Sequence, residues 1–422
     1  MTGDVLEFAD LLWRGEADAP GLITVSNELT EVADRTGFVW SMANVTAFRT
    51  GEGVVLVDTG SAFMAGNIHG AVRGWTREPV TDAIYSHGHI DHVFGILAFE
   101  AEGRAARVIA HENVPPRFDR YVLTAGYNSI VNQRQFGIPG IRWPTEYRYP
   151  DETYRDQLTV AIGGETFELH HAKGETDDAT WTWVPARRVL CTGDFFIWAS
   201  PNAGNPQKVQ RYPREWAMAL REMASLGAKL LLPGHGVPIA GAGRIRDALG
   251  DTAELLESLH DQTVALMNDG ATLDDVLHSV KAPPHLLEKP YLRPTYDDPE
   301  FIVRNVWRLY GGWWDGDPSS LKPAPREDLA RELAALAGGA HALAERATVL
   351  ATEGNLRLAG HLAELAVLAS PVQHGTRATV NEQRAAEESS TMARGIFGWA
   401  AKESRVRGQA PAYDSSIGRS HT

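Results

Sequence analysis

Short apolar runs, each closed by glycine and a carboxylate or imidazole, punctuate the first 235 residues. Val54-Val-Leu-Val leads into Asp58-Thr-Gly60, and Ala83-Ile-Tyr85 into Ser86-His-Gly-His89. Leu190-Cys-Thr-Gly193 leads into Asp194, and Leu230-Leu-Leu-Pro-Gly234 into His235. Runs of this length between turn residues read as buried strands. The pattern predicts strands near 37–49 and at 54–58, 83–85, 158–162, 166–171, 180–184, 188–191 and 229–232, with a helix after Ser61. Residues 1–30 read as a weakly patterned helical lead-in. A helical stretch over 127–136 gives way to Pro139, Gly140, Pro144 and Pro150, an irregular insertion of a length that usually serves function. Further on, alanine and apolar residues recur at helical spacing over 328–350. Gly354-Asn355 interrupts them, and a second helix runs to Ser370-Pro371, predicting a helical hairpin. Residues 372–422 are polar, with a helical run about 382–403 and a last dozen residues that read as disordered.

The densest chemistry lies in Tyr85-Ser-His-Gly-His-Ile-Asp-His92. His87, His89, Asp91 and His92 fall within six positions, and so many polar groups are costly to desolvate unless a divalent metal binds them. Gly88 places the run on a strand-to-helix loop. His87 and His89 then point one way while the Asp91–His92 pair, starting a helix, points another, a geometry suited to two neighbouring metals.

With the other strand ends, this run resembles the signature of the metallo-β-lactamase fold, an α/β αββα sandwich whose loops carry one or two metals. The resemblance makes Asp58 a structural aspartate, Asp194 the carboxylate that bridges the metals, and His235 the last histidine. In the third element, Leu169-His-His-Ala-Lys-Gly-Glu175-Thr-Asp-Asp178, Glu175 stands where most members place histidine, which is characteristic of the alkylsulfatase branch. Asp177 and Asp178 are rival ligands there, and His170 and His171 read as packing or outer hydrogen-bonding residues. His260-Asp-Gln-Thr263, Asn268-Asp-Gly270, Ala282-Pro-Pro284, the 309–321 segment and the helical hairpin resemble the alkylsulfatase dimerisation domain. The implied organisation is a catalytic domain over 1–245, a C-terminal α-helical dimerisation domain over 246–371, and the polar tail 372–422.

Composition narrows the function classes. The single cysteine, Cys191, excludes an intrachain disulfide and a cysteine-rich metal site. A formal net charge of −14 without a basic tract disfavours nucleic acid. No apolar stretch is long enough to span a membrane, and the acidic first ten residues lack a signal-peptide core, so a cytoplasmic protein is expected.

The resemblance implies His87, His89 and Glu175 on one metal, Asp91, His92 and His235 on the other, and Asp194 between them. Nitrogen and carboxylate ligands favour two Zn2+, with Mn2+ or Fe as alternatives. Paired metals acidify a bridging water and hold an electrophile's oxygen, so hydrolysis by a metal-bridging hydroxide follows. Asp91 and Asp194 are its catalytic carboxylates, Asp91 as orienter or proton acceptor. The branch hydrolyses organic sulfate esters, and a sulfate calls for arginine. Candidate contacts for such a small anionic ester are Arg134, Tyr127, Asn132 and Arg211, with Lys208, Arg214 and Tyr212 beside them and Trp198 as an apolar wall. Two features depart from the branch: Asp194 replaces its bridging glutamate, and 195–205 lacks a histidine to protonate the leaving alcohol. Hydrolysis of a carboxylic ester, lactone, phosphoester or β-lactam stays open, as does an iron-binding redox or sensing role. The dimerisation resemblance implies a homodimer.

Overall fold

The computed structural model describes residues 4–17 and 25–409, so the expected disorder of the last dozen residues lies outside the described residues. Thirteen strands among them form two sheets, β1 Leu29–Ala33, β2 Thr36–Val39, β3 Val45–Arg49, β4 Val54–Val57, β5 Val80–Ile84, β6 Arg107–His111 and β7 Glu152–Tyr154 making the first in sequence order. β8 Gln157–Ile162, β9 Glu165–His171, β10 Thr180–Val184, β11 Val189–Gly193, β12 Leu230–Pro233 and β13 Ile239–Ala240 make the second, in reverse order. β4 to β7 are parallel, as are β11 and β12, so the chain crosses back between them through helices.

The layering follows from side-chain alternation. Along β4, Val55 and Val57 enter the core between the sheets, whereas Val54 and Leu56 enter the core under the helices Ala65–Trp75, Ile96–Glu100 and Val114–Leu123. β6 divides likewise, Ile109 against the other sheet and Val108 and Ala110 outward. A strand apolar on both faces must be covered on both. Between the sheets, Phe48 meets Phe167 edge-on at 5.4 Å. Helices Pro213–Ser225 and Ala242–Asn268 supply residues to this same core from the second sheet's far side. The result is the expected αββα sandwich.

The chain divides into two compact units, one of residues 1–128 and 142–313 and the other of 129–141 and 314–422. In the second unit the expected hairpin is three helices, Arg326–Ala337, Ala340–Thr352 and Leu356–Ala369. The break missed in the sequence is Gly338-Gly339, both at positive φ (89° and 125°), where Gly339 N donates to Ala334 O at 2.7 Å. The alanine pattern resumes beyond it and hides the turn. Helices also continue through the polar segment after 371, as His374–Glu387 and Thr391–Gln409. Small alanine-rich clusters, such as Ala334, Leu343, Ala344 and Ala366, hold the hairpin. Because an added Cβ at Gly338 meets nothing within 4 Å, Gly338→Ala tests conformational strain alone. It should lower stability in urea unfolding by about 1–2 kcal/mol, the usual cost of a left-handed L-residue.

Candidate metal centre

The seven residues expected as ligands converge at the strand ends of the sandwich. Three groups have ligand atoms within 4.8 Å of one another: His87, His92 and Asp194; Asp91, His92 and His235; and His89, Glu175 and Asp194. Asp194, at the end of β11, stands between the others. His92 Nε2 is 3.4 Å from its Oδ1, and His235 Nε2 and His87 Nε2 are 3.5 and 3.8 Å from its Oδ2. Asp91 Oδ2 lies 3.5 Å from His235 Nε2 and 3.7 Å from His92 Nε2. His89 Nδ1 lies 3.7 Å from Glu175 Oε1 and 2.7 Å from His87 Nε2.

Three of the four histidines are aimed by a tie on the far ring nitrogen, which orients the ring. Asp58, at the end of β4 with φ 56°, accepts from Ser86 N and Ser86 Oγ at 2.7 Å and from His92 Nδ1 at 2.8 Å. With its proton given to Asp58, Ser86 Oγ accepts from His87 Nδ1 at 3.0 Å. His235 Nδ1 donates to Met42 O. In all three, Nε2 is left facing the cluster.

Electrostatics complete the picture. Burial and the charge of His92 push His87 down to about 4, and burial with His87, Arg211 and Arg117 holds His89 well below its usual value, so both rings are neutral donors. Burial would also depress His92 and His235, yet the neighbouring Asp194 raises both, with Asp58 and Asp91 adding to His92 and Asp91 to His235. Asp194 stays ionised well below the carboxylate range despite its burial, because His235 and His92 flank it. Glu175 is pushed up to about 8 by burial and by Asp194, against the pull of Arg211. Protons thus stand where cations would. Buried His92 Nε2, Glu175 Oε2 and Asp194 Oδ1 also lack hydrogen-bond partners, which bare ligand atoms of a metal site would explain. The donor set fits divalent cations.

The structure separates the remaining candidates. Asp177 and Asp178 both engage Arg117, Asp178 Oδ2 accepting from its Nε at 2.7 Å and from Gly88 N at 3.0 Å. His170 stacks on Trp181 and His171 on His111, with ring centroids 3.9 and 3.6 Å apart. Arg211 is buried and faces Glu175, its Nη1 donating to the backbone oxygen and lying 3.1 Å from Oε1. Lys208 places its ammonium 5.3 Å over the Trp143 ring. Burial and Arg211 push it down to about 8, opposed by Glu175 and Asp91. Trp198 is packed in the core, its ring against Gly236 and its Nε1 donating to Val237 O. Tyr127 is exposed on helix Ala125–Phe136 and Arg214 is exposed on Pro213–Ser225. Asn132 and Arg134 belong to the second compact unit.

Sequence reasoning missed Arg117, Asn202, Asp297 and Asn305. Asn202 Nδ2 donates to Glu175 Oε1, and nothing in the local pattern marks a partner 27 positions away.

Comparisons with known proteins bear on the family and the fold. A model of the metallo-beta-lactamase superfamily matches residues 39–235, and one of alkyl sulfatase dimerisation matches 272–407. A linear primary-alkylsulfatase of Pseudomonas sp. (strain ATCC 19151) is 30% identical over 357 residues, 76% of this chain and 65% of that protein. An (R)-specific secondary-alkylsulfatase of Pseudomonas sp. is 25% identical over 411 residues, 88% of this chain and 61% of its own. The chain thus spans less than two thirds of the length of these curated relatives. The solved structure of a stereoselective inverting sec-alkylsulfatase from Pseudomonas sp. superposes with a TM-score of 0.81 at 23% identity, over 96% of this chain and 71% of that one, a likeness of fold. No helix among the described residues is long and apolar enough to cross a membrane.

Proposed function

This chain belongs to the alkylsulfatase-like branch of the metallo-β-lactamase superfamily, and from that premise we propose that it is a dinuclear-metal hydrolase of organic sulfate esters. The observation that carries the reading is the convergence of six ligand-type side chains around Asp194, with buried ligand atoms left bare. His87, His89 and Glu175 would hold one ion and Asp91, His92 and His235 the other, with Asp194 between. The donors suit Zn2+. Ions bound there would acidify a water and act as Lewis acid towards the ester.

The protein's own groups do the rest. Asp91 is the most exposed of the seven, its side chain 26% accessible against 16% for His89 and 12% for His235. It is therefore placed to orient the attacking water and accept its proton. Lys208, free of any ion pair with a carboxylate among the described residues and electrostatically coupled to Glu175 and Asp91, supplies positive charge for a sulfate. Arg211 acts through Glu175. The region matching the dimerisation model supports a homodimer, which a mass measurement in solution checks.

The test is the Zn2+-loaded full chain with medium-chain alkyl sulfates, measuring released sulfate beside a carboxylic ester and phosphoester panel. Sulfate release is expected. Turnover confined to another ester class would overturn the substrate, and none at all the hydrolase reading. Metal uptake should also expel protons, because His92, His235 and Glu175 carry them in the metal-free site. Affinity should accordingly rise with pH through about 8, as calorimetry in buffers of different ionisation enthalpy would record.

A further inference from the structure

Glu175 presents two unequal oxygens. Oε1 accepts from Asn202 Nδ2 and lies 3.1 Å from Arg211 Nη1, whereas buried Oε2 has no partner. Both residues that lock Oε1 are themselves held by a segment beyond the sandwich. Asn202 stands in 201–205, a buried stretch without helix or strand. Asp297, fully buried, accepts from Gly204 N at 2.6 Å and Asn205 N at 3.2 Å, and its other oxygen accepts from Asp298 N at 2.9 Å. Ser200 N donates to Arg293 O at 2.9 Å. The stretch lies so close to helix Pro299–Gly311 that an added Cβ at Gly204 would sit 2.3 Å from Phe301 C and 2.4 Å from Ile302 N, so only glycine fits. The same helix fixes Arg211: Asn305 Oδ1 accepts from Arg211 N at 3.2 Å, and Asn305 Nδ2 donates to Arg211 O at 3.0 Å.

We propose that Asp297 and Asn305 are positioning residues of the metal site, holding the Glu175 carboxylate in place through Asn202 and Arg211 while Oε2 is left without a protein partner. The segment 293–305, within the region matching the dimerisation model, thereby sets the affinity of the ion held by His87, His89 and Glu175. This rests on the two-metal reading above. The Asn202 amide on Oε1 and the Arg211 guanidinium, bonded to the Glu175 backbone oxygen and 3.1 Å from Oε1, restrain the carboxylate from rotating. Outer partners of this kind typically govern metal affinity by about 10–100-fold. The two ties reach Glu175 independently, one through a side-chain amide and one through a guanidinium, so they can be cut separately.

The experiment is Co2+ titration of the metal-free full chain, with chelator competition, for wild type, Asn202→Ala, Asp297→Asn and Asn305→Ala. One of two ions should weaken by about 10–100-fold with an altered absorption band, while the other keeps its affinity and spectrum. Asn202→Ala removes one buried amide and little packing, so the metal-free variant should still fold cooperatively, and it keeps the test decisive if Asp297→Asn folds poorly. Unchanged affinity for both ions in every variant would overturn the proposal. So would equal weakening of both ions alongside lower metal-free stability, the mark of a merely structural role. A wild-type chain that takes up no Co2+ would overturn the two-metal reading itself, and this proposal with it.

Discussion

Asp194→Ala should strip the chain of both tightly held metal ions and of ester hydrolysis, while the metal-free protein stays folded. Among the described residues, Asp194 alone shares one candidate metal-binding group with His87 and His92 and another with His89 and Glu175, and it also lies 3.5 Å from His235 Nε2. Its charge is present at every working pH, because His235 and His92 hold it ionised despite burial. On the two-metal reading proposed above Asp194 would be a ligand of both ions, so the loss of affinity should exceed the roughly 10–100-fold that an outer hydrogen bond commands. Turnover should fall by at least the roughly 10²–10⁴-fold that one positioned acid or base supplies. The fold should survive, since His92 keeps Asp58 at 2.8 Å and His235 keeps Asp91 at 3.5 Å. Metal analysis after desalting, beside sulfate release and a circular-dichroism melt, would check each part. Asn at the same position should fail almost as fully, because it restores shape without charge. Full metal retention by Asp194→Ala would refute the bridging role.

The residues that converge were legible in the sequence for a physical reason. Most lie just beyond an apolar run, and a buried strand that must open into a polar site leaves that signature, as Leu190-Cys-Thr-Gly-Asp194 does. The strands bearing these residues were legible on the same ground, since β4 is apolar on both faces and covered on both, whereas β1, β6, β7 and β13 were missed. What supports the ligands was not. Asn202, Asp297 and Arg117 act across 27, 92 to 93 and 61 positions, and no period or motif encodes a contact that only folding creates. Conversely, Arg211 was a reasonable sulfate contact by type, yet its guanidinium is engaged with Glu175. The split of the helical hairpin at Gly338-Gly339 was hidden by alanines that suit a helix on either side.

Arg117→Met should destabilise the metal-free protein at neutral pH by about 3–5 kcal/mol, the usual consequence of leaving one partner of a buried ion pair alone. Both groups are out of water: Arg117 is 3% exposed and Asp178 fully buried. Burial alone would raise Asp178, but Arg117 and then His87 hold it below its ordinary value. In the wild type this depressed carboxyl contributes stability above the unfolded-state pKa, about 3.9, and that contribution is lost as pH falls through the folded value. Without Arg117 the sign reverses. A carboxyl raised by burial opposes folding above the unfolded value, so acidification towards pH 4 should narrow the gap between variant and wild type. Urea unfolding at pH 7 and pH 4 measures both effects. Adding Asp178→Asn should recover most of the loss at pH 7, because no unpaired charge remains. Recovery should be incomplete at the metal site, since Asp178 Oδ2 also accepts from Gly88 N at 3.0 Å, between His87 and His89. A cost below about 1 kcal/mol, the range of a solvent-exposed pair, would show that water reaches this pair and that the loop bearing the two histidines is braced by something else.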